Sequence, residues 1–152
     1  MHRETIAIGA DHAGFAMKAA LATDLVQMGY DVLDLGTNSE ASVDYPDFGF
    51  AVGRAVASGQ AVRGIVVCGT GIGISIAANR NPHVRAALCT CGLMAGLARE
   101  HNDANVLALG SRIIGIETAR DCLRQFLSTQ YGGDRHARRV AKLSHTELES
   151  VE

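Results

Sequence analysis

The sequence predicts an α/β fold, a parallel sheet with helices on both of its faces. Three observations carry this. Short apolar runs alternate with helical stretches from one end of the chain to the other, which is the pattern of βα units around a parallel sheet. The strand candidates are apolar on both sides, as strands sandwiched between helices must be. No Pro- or Ser-rich linker and no internal repeat interrupts the alternation, so a single domain over residues 1–152 is expected.

The elements follow in order. Strands are expected at residues 5–9, 30–35, 64–68, 84–88 and 106–109, and helices at 15–28, 46–58, 73–78, 93–100 and 116–128. In the first helix Phe15, Ala19, Ala22 and Val26 recur at helical spacing and are the expected inward stripe. Gly29 suits a helix stop and Pro46 a helix first turn. Residues 135–152 read as a final helix beyond the last strand. It is charged on most faces, so it is expected to lean on something outside its own core.

Composition excludes several classes. The net charge is −2 and aromatic content is 5% with no Trp, which leaves neither a basic surface nor a stacking platform for nucleic acid. No apolar run reaches the ~20 residues that cross a bilayer. Residues 1–4 lead directly into a strand, so no secretory signal peptide is expected. The cysteines are Cys68, Cys89, Cys91 and Cys122, with no zinc-knuckle spacing. Reduced thiols in a cytoplasmic protein are the expectation.

In such a sheet, ligands bind where strands end at their carboxyl edge. The loops there are Gly9-Ala10-Asp11-His12-Ala13-Gly14, Cys68-Gly69-Thr70-Gly71-Ile72-Gly73 and Gly110-Ser111-Arg112. The second follows a buried strand and opens a helix. Its glycines admit a ligand close to the backbone, and the helix start points free N–H groups at an anion or a developing oxyanion. A tight turn without a ligand is the bland alternative. A dinucleotide site needs G-x-G-x-x-G with an acid ~20 residues later. Here the spacing is G-x-G-x-G, and no Asp or Glu lies between Asp47 and Glu100. A P-loop fails for want of a Lys after the glycines.

Cys68 stands where the strand ends and helix N–H groups begin, an environment that favours a thiolate able to act as base or nucleophile. Cys89, Cys91 and Cys122 read as small buried hydrophobes. Asp11 and His12 flank the same edge and suit sugar hydroxyls or phosphate, or a helix cap. Tyr45 stands in a turn entering a helix, to line a pocket or to pack. His101 and Asn102 fall between a helix and the last strand, while His2, His83, His136 and His145 read as surface residues. Arg135 and Arg139 are four apart, sharing one helix face that would grip a phosphate or simply be solvated.

Together these motifs, with Asp44-Tyr45-Pro46, the run Cys68 through Asn79, and Arg99-Glu100-His101-Asn102-Asp103, resemble the ribose-5-phosphate isomerase B family, which includes galactose- and allose-6-phosphate isomerases. One branch of that family carries a Glu base at the position of Ile74; retention of Cys68 places this chain with the cysteine branch. The resemblance implies a three-layer α/β/α sandwich with a five-stranded parallel, Rossmann-like sheet in the order 2-1-3-5-4. It also implies a homodimer, or a dimer of dimers, with no metal and no cofactor. In the roles it implies, Cys68 moves the proton between C2 and C1, and His101 opens the sugar ring. Thr70 assists proton movement between O1 and O2, while the backbone from Gly69 through Gly71 and Ile72 to Gly73 holds the enediolate. Asp11 binds the ring oxygen or hydroxyls, Asn102 holds a hydroxyl, and His12, Arg112, Arg135 and Arg139 hold the phosphate.

The leading expectation is therefore interconversion of ribose 5-phosphate and ribulose 5-phosphate. The same chemistry on an allose, galactose or tetrose phosphate, and a non-catalytic phosphosugar-binding subunit, are the alternatives. One geometric expectation follows from the order of elements. Cys68 ends a strand and His101 precedes one, so the two lie at opposite edges of a sheet whose ~5-residue strands span ~17 Å. Each active site is therefore expected to draw on two chains.

Overall fold

The computed structural model describes residues 2–144. Five strands form one sheet: β1 (Thr5–Ala10), β2 (Asp31–Asp34), β3 (Arg63–Cys68), β4 (Ala86–Leu88) and β5 (Val106–Gly110). All pairings are parallel, in the order β2-β1-β3-β5-β4. Between them run the helices α1 (Phe15–Gln27), α2 (Tyr45–Ala57), α3 (Ile72–Ala78) and α4 (Gly92–Asn102). After β5 come α5 (Ile116–Ser128), a 3-10 turn (Asp134–His136) and α6 (Ala137–Ser144). The architecture and strand order are those expected, with one layer of helices on each face.

The strands alternate their side chains between two cores, and this is why they read as apolar on both sides. On one face Ile6, Ile8, Ile65, Val67, Leu107 and Leu109 pack with residues of α1, α4 and α5. On the other Ala7, Val66, Cys68, Val106 and Ala108 meet Val52 and Ala55 of α2 and Ile74 of α3. Cys89 and Cys122 are buried as expected. Burial pushes their thiols up to about 12 and about 11 respectively, which keeps them protonated and inert. Cys91 differs from expectation: it is exposed, standing in extended backbone before α4.

The inward face of α1 also differs. It consists of Met17, Lys18, Leu21 and Leu25, while Val26 is 58% exposed. The reason is Lys18, whose ammonium is buried and donates to both carboxylate oxygens of Asp34 at 2.7 and 2.8 Å. A hydrophobic count assigns a lysine to the outside; a carboxylate waiting at the end of β2 places it inside.

At the far edge of the sheet β4 has three residues rather than the expected five. Two asparagines bracket it. Asn79 donates to the Ala86 carbonyl at 3.0 Å and accepts from the Ala86 N–H at 2.7 Å. Asn105 accepts from the Arg85 N–H at 2.7 Å and donates to the His83 carbonyl at 2.9 Å. The chain around Ala86 is thus held by these side chains as well as by backbone N–H groups of Asn105 and Val106 on the Arg85 carbonyl. α4 is longer than expected and carries His101 and Asn102 in its last turn. Arg99 donates to Asp103 across one turn at 2.9 Å, and Asp103 closes the helix in the left-handed region at φ 45°. The final helix shows no buried residue, and the expected continuation through 145–152 lies outside the described residues.

Candidate active site

Strands β1, β3 and β5 end side by side, with Ala10 opposite Val67 and Cys68 opposite Gly110. Their loops are laced together. Ser111 donates its backbone N–H to the Cys68 carbonyl at 2.9 Å and its hydroxyl to the Ala13 carbonyl at 2.8 Å. The Arg112 N–H donates to the Gly69 carbonyl at 2.9 Å, and the Asp11 N–H to the Val67 carbonyl at 3.2 Å. Asp11, Cys68 and Arg112 therefore stand on backbone tied to the strand ends.

Cys68 is 4% exposed, and its Sγ accepts the Gly71 N–H at 3.1 Å. The start of α3 thus aims an amide N–H directly at the sulfur. Gly71 makes this possible by standing at φ +77°, with the Leu109 carbonyl so near that a Cβ would lie 2.8 Å from its carbon. Thr70 turns its hydroxyl oxygen to the Ile72 N–H at 3.2 Å. The N–H groups of Gly73 and Ile74, in the first turn of α3, have no protein acceptor among the described residues. Backbone N–H groups left without a partner at a helix start are the kind that meet an enediolate or phosphate oxygen. Gly73 is packed under the Tyr45 ring, since a Cβ would come within 2.5 Å of it.

The neighbouring side chains complete one half of a site. Asp11 is buried and accepts the Gly14 N–H through Oδ1 at 3.1 Å, so it is a cap and leaves Oδ2 for a ligand. His12 accepts the Val43 N–H through Nδ1 at 3.1 Å, which leaves its neutral ring with a proton on Nε2 to donate. The Arg112 side chain lies against Gly69. Asp11, His12, Tyr45, Cys68, Gly69, Thr70, Gly71, Ile72, Gly73 and Arg112 thus come together from four different segments.

The remaining predicted residues do not join them within this chain. His101 and Asn102 end α4 just before β5 begins, at the amino edge of the sheet. There His101 stacks on His136 with ring centroids 4.4 Å apart. Arg135 lines a cavity of about 290 Å3 with Glu100, Gly132 and His136, and Arg139 is exposed on α6. Asn102 turns instead towards a second cavity of about 400 Å3, lined by Asn79, Arg85, Ala104 and Leu143 among others. His136, expected at the surface, is only 9% exposed. Burial lowers its pKa, and positive charge on His101, Arg135 and Arg139 lowers it further, against the opposing effect of Glu100. Nothing in sequence spacing pairs residues 101 and 136; their contact is set by the turn of α5 back to the amino edge. Ser111, which braces the Cys68 loop, was visible only as a member of the Gly110-Ser111-Arg112 motif. Among the described residues no three His, Cys, Asp or Glu side chains converge as metal ligands, and no helix is long and apolar enough to cross a membrane.

The sequence profile of the Ribose/Galactose Isomerase family matches residues 6–143. The chain belongs to this family. It is 46% identical over 142 residues to ribose-5-phosphate isomerase B of Escherichia coli, covering 93% of this chain and 95% of that one. The ribose-5-phosphate isomerase B of Clostridium thermocellum has the same fold, with a TM-score of 0.94 at 51% identity, covering 97% of this chain and 99% of that chain. The type B ribose 5-phosphate isomerase of Trypanosoma brucei superposes with a TM-score of 0.91 at 44% identity, covering 94% and 98%. Family membership thus extends over both edges of the sheet, the half-site around Cys68 and the stacked histidines alike.

Proposed function

We propose that this protein interconverts ribose 5-phosphate and ribulose 5-phosphate in the cytoplasm, as a homodimer whose sites each draw on both chains. The observation that carries the reading is Cys68, its Sγ 3.1 Å from the Gly71 N–H inside a glycine loop with unengaged helix-start N–H groups. The Cys68 thiolate takes the proton from C2 of the open-chain aldose. The C–H electron pair becomes the C1–C2 double bond, and the aldehyde oxygen takes up the charge, held by those N–H groups of the Gly69–Gly73 loop that no protein acceptor takes, Gly73 among them. The hydroxyl of Thr70 helps a proton pass from O2 to O1, and the Cys68 thiol returns its proton to C1. Sulfur and sugar both end as they began in proton count, so no co-reactant enters the scheme.

Ribose 5-phosphate arrives as a ring, and ring opening needs an acid at the ring oxygen. His101 of a second copy supplies it, with Asp11 Oδ2 and Asn102 of the second copy on the hydroxyls. Tyr45 walls the pocket, while His12 and Arg112 of one chain and Arg135 and Arg139 of the other hold the phosphate. Support for two chains comes from exposed apolar residues near the β4 edge. Ile72 and Ile76 stand one turn apart on α3, and Leu93 and Leu97 one turn apart on α4, each at least 38% exposed. Such paired stripes suit a second copy related by a two-fold axis.

The relatives' names point to a pentose phosphate, and the test is a coupled assay of the purified protein on tetrose, pentose and hexose phosphates. Ribose 5-phosphate is expected to give the highest kcat/KM. A higher value for a hexose or tetrose phosphate would reassign the substrate, and turnover of none would leave a binding subunit.

A further inference from the structure

We propose that His136 is a positioning residue for ring opening, holding the His101 imidazole in place by stacking. The inference rests on the reading of His101 as the ring-opening acid. The two rings lie 4.4 Å apart between centroids and 18° from parallel, within the range of offset aromatic stacking. His136 is the one buried residue in the stretch 134–144; every other side chain there is exposed or, for Val140, half-buried. Its backbone N–H donates to the Gly133 carbonyl at 2.9 Å, and the Gly132 N–H donates to the Glu100 carbonyl at 3.0 Å. The turn that carries His136 is therefore tied to the end of the helix that carries His101.

The consequence is mechanical. His101 lies in the last turn of α4, half-buried, where a free side chain samples several rotamers. A general acid must sit within hydrogen-bond reach of the atom it protonates, and small misplacements are costly. The His136 ring removes that freedom from one face. The same ring anchors the segment bearing Arg135 and Arg139, so the acid and the phosphate grips keep a set spacing.

The stack also has a charge requirement. The groups facing His136 are Glu100 and His101 from α4, and Arg135 and Arg139 from the tail. Burial lowers the His136 pKa, the neighbouring His101, Arg135 and Arg139 lower it further, and Glu100 opposes them. Protonating both rings would set two cations face to face, so the stack should loosen as pH falls.

The test uses a property of the two substrates. Ribose 5-phosphate is a furanose in solution, whereas ribulose 5-phosphate has its 5-oxygen blocked and stays open-chain. Loss of the ring-opening step therefore slows the forward reaction selectively. His136→Ala is expected to lower forward kcat by ~10–100-fold and reverse kcat by less than ~3-fold. His136→Phe, which keeps a flat ring without a proton to gain, should restore forward kcat to within ~3-fold and flatten the acid side of its pH profile. Equal losses in both directions, or Phe no better than Ala, would overturn the proposal and leave His136 as a tail anchor. If the Ala variant does not fold, the Phe variant and its pH profile decide alone. His101→Ala is the control: a forward-to-reverse ratio unchanged there removes the acid role and the stack's purpose with it. A ratio changed in His101→Ala but not in His136→Ala removes only the stack.

Discussion

The two edges of the sheet are built by different means. At the carboxyl edge, three strand ends are cross-tied by backbone hydrogen bonds, and Cys68 and Asp11 are buried. At the amino edge, His101 stacks on His136, and among residues 134–144 His136 alone is buried. In the proposed mechanism the cross-tied edge carries the base, which would have to meet a carbon-bound proton within a fraction of an ångström. The other edge carries the groups proposed to recognise a phosphate and a ring oxygen, and in the proposed dimer they would be delivered to another chain.

Removing the base is the severest test of that contrast. Cys68→Ala is expected to lose a factor of ~10²–10⁴ in kcat while KM changes little, and Cys68→Ser should be nearly as poor. Steady-state kinetics on both variants checks this, and full activity in the Ala variant would remove Cys68 as base.

A second test joins the two edges. Cys68→Ala and His101→Ala, each expected to lack the forward reaction, are mixed, allowed to exchange subunits and assayed in the forward direction. If the edges work across a dimer, random exchange recovers roughly a quarter of wild-type activity, because half the dimers are mixed and each has one intact site. A mixture that stays dead after verified exchange places both residues in one chain's site.

A smaller effect is expected at the tail. Arg139→Ala should raise KM by ~10-fold with kcat nearly unchanged, since it removes a charge-assisted contact made equally in ground and transition states. A fall in kcat alone would assign Arg139 to the chemistry instead.

The smallest concerns stability. His136 has a lowered pKa in the folded protein, so the unfolded chain binds more protons between the folded value and the ordinary one. Stability contributed by the neutral ring is present above the unfolded value and is lost as pH falls through that window. Thermal unfolding of wild type should therefore drop more between neutral and mildly acidic pH than that of His136→Phe, and matching slopes would contradict the neutral stack.

The fold was legible because its signal is repeated. Five apolar runs, each followed by a helical stretch, leave few alternatives to a parallel sheet. The half-site around Cys68 was legible for a related reason, since loops after strands converge in space even when far apart in sequence. The inner face of α1 was not legible, because Lys18 depends on Asp34, a partner sixteen residues away. The burial of His136 was hidden for the same reason, its partner His101 being supplied by the packing of a turn against another helix. Cys91 was misread because exposure depends on where α4 begins, one residue further on. In each case the missing knowledge was a specific tertiary partner, which neither periodicity nor propensity carries.

The asparagine at the end of α3 has an effect on what the sheet can meet. Ala86 turns its N–H and C=O away from β5, the two groups by which an open edge recruits a foreign strand. The Asn79 amide answers both, donor to acceptor and acceptor to donor, at 3.0 and 2.7 Å. It is in effect a one-residue counterfeit strand that terminates the ladder. A second polypeptide approaching here finds no main-chain groups to zip onto at that point and must dock on side chains, whose shapes discriminate between partners where a backbone ladder does not.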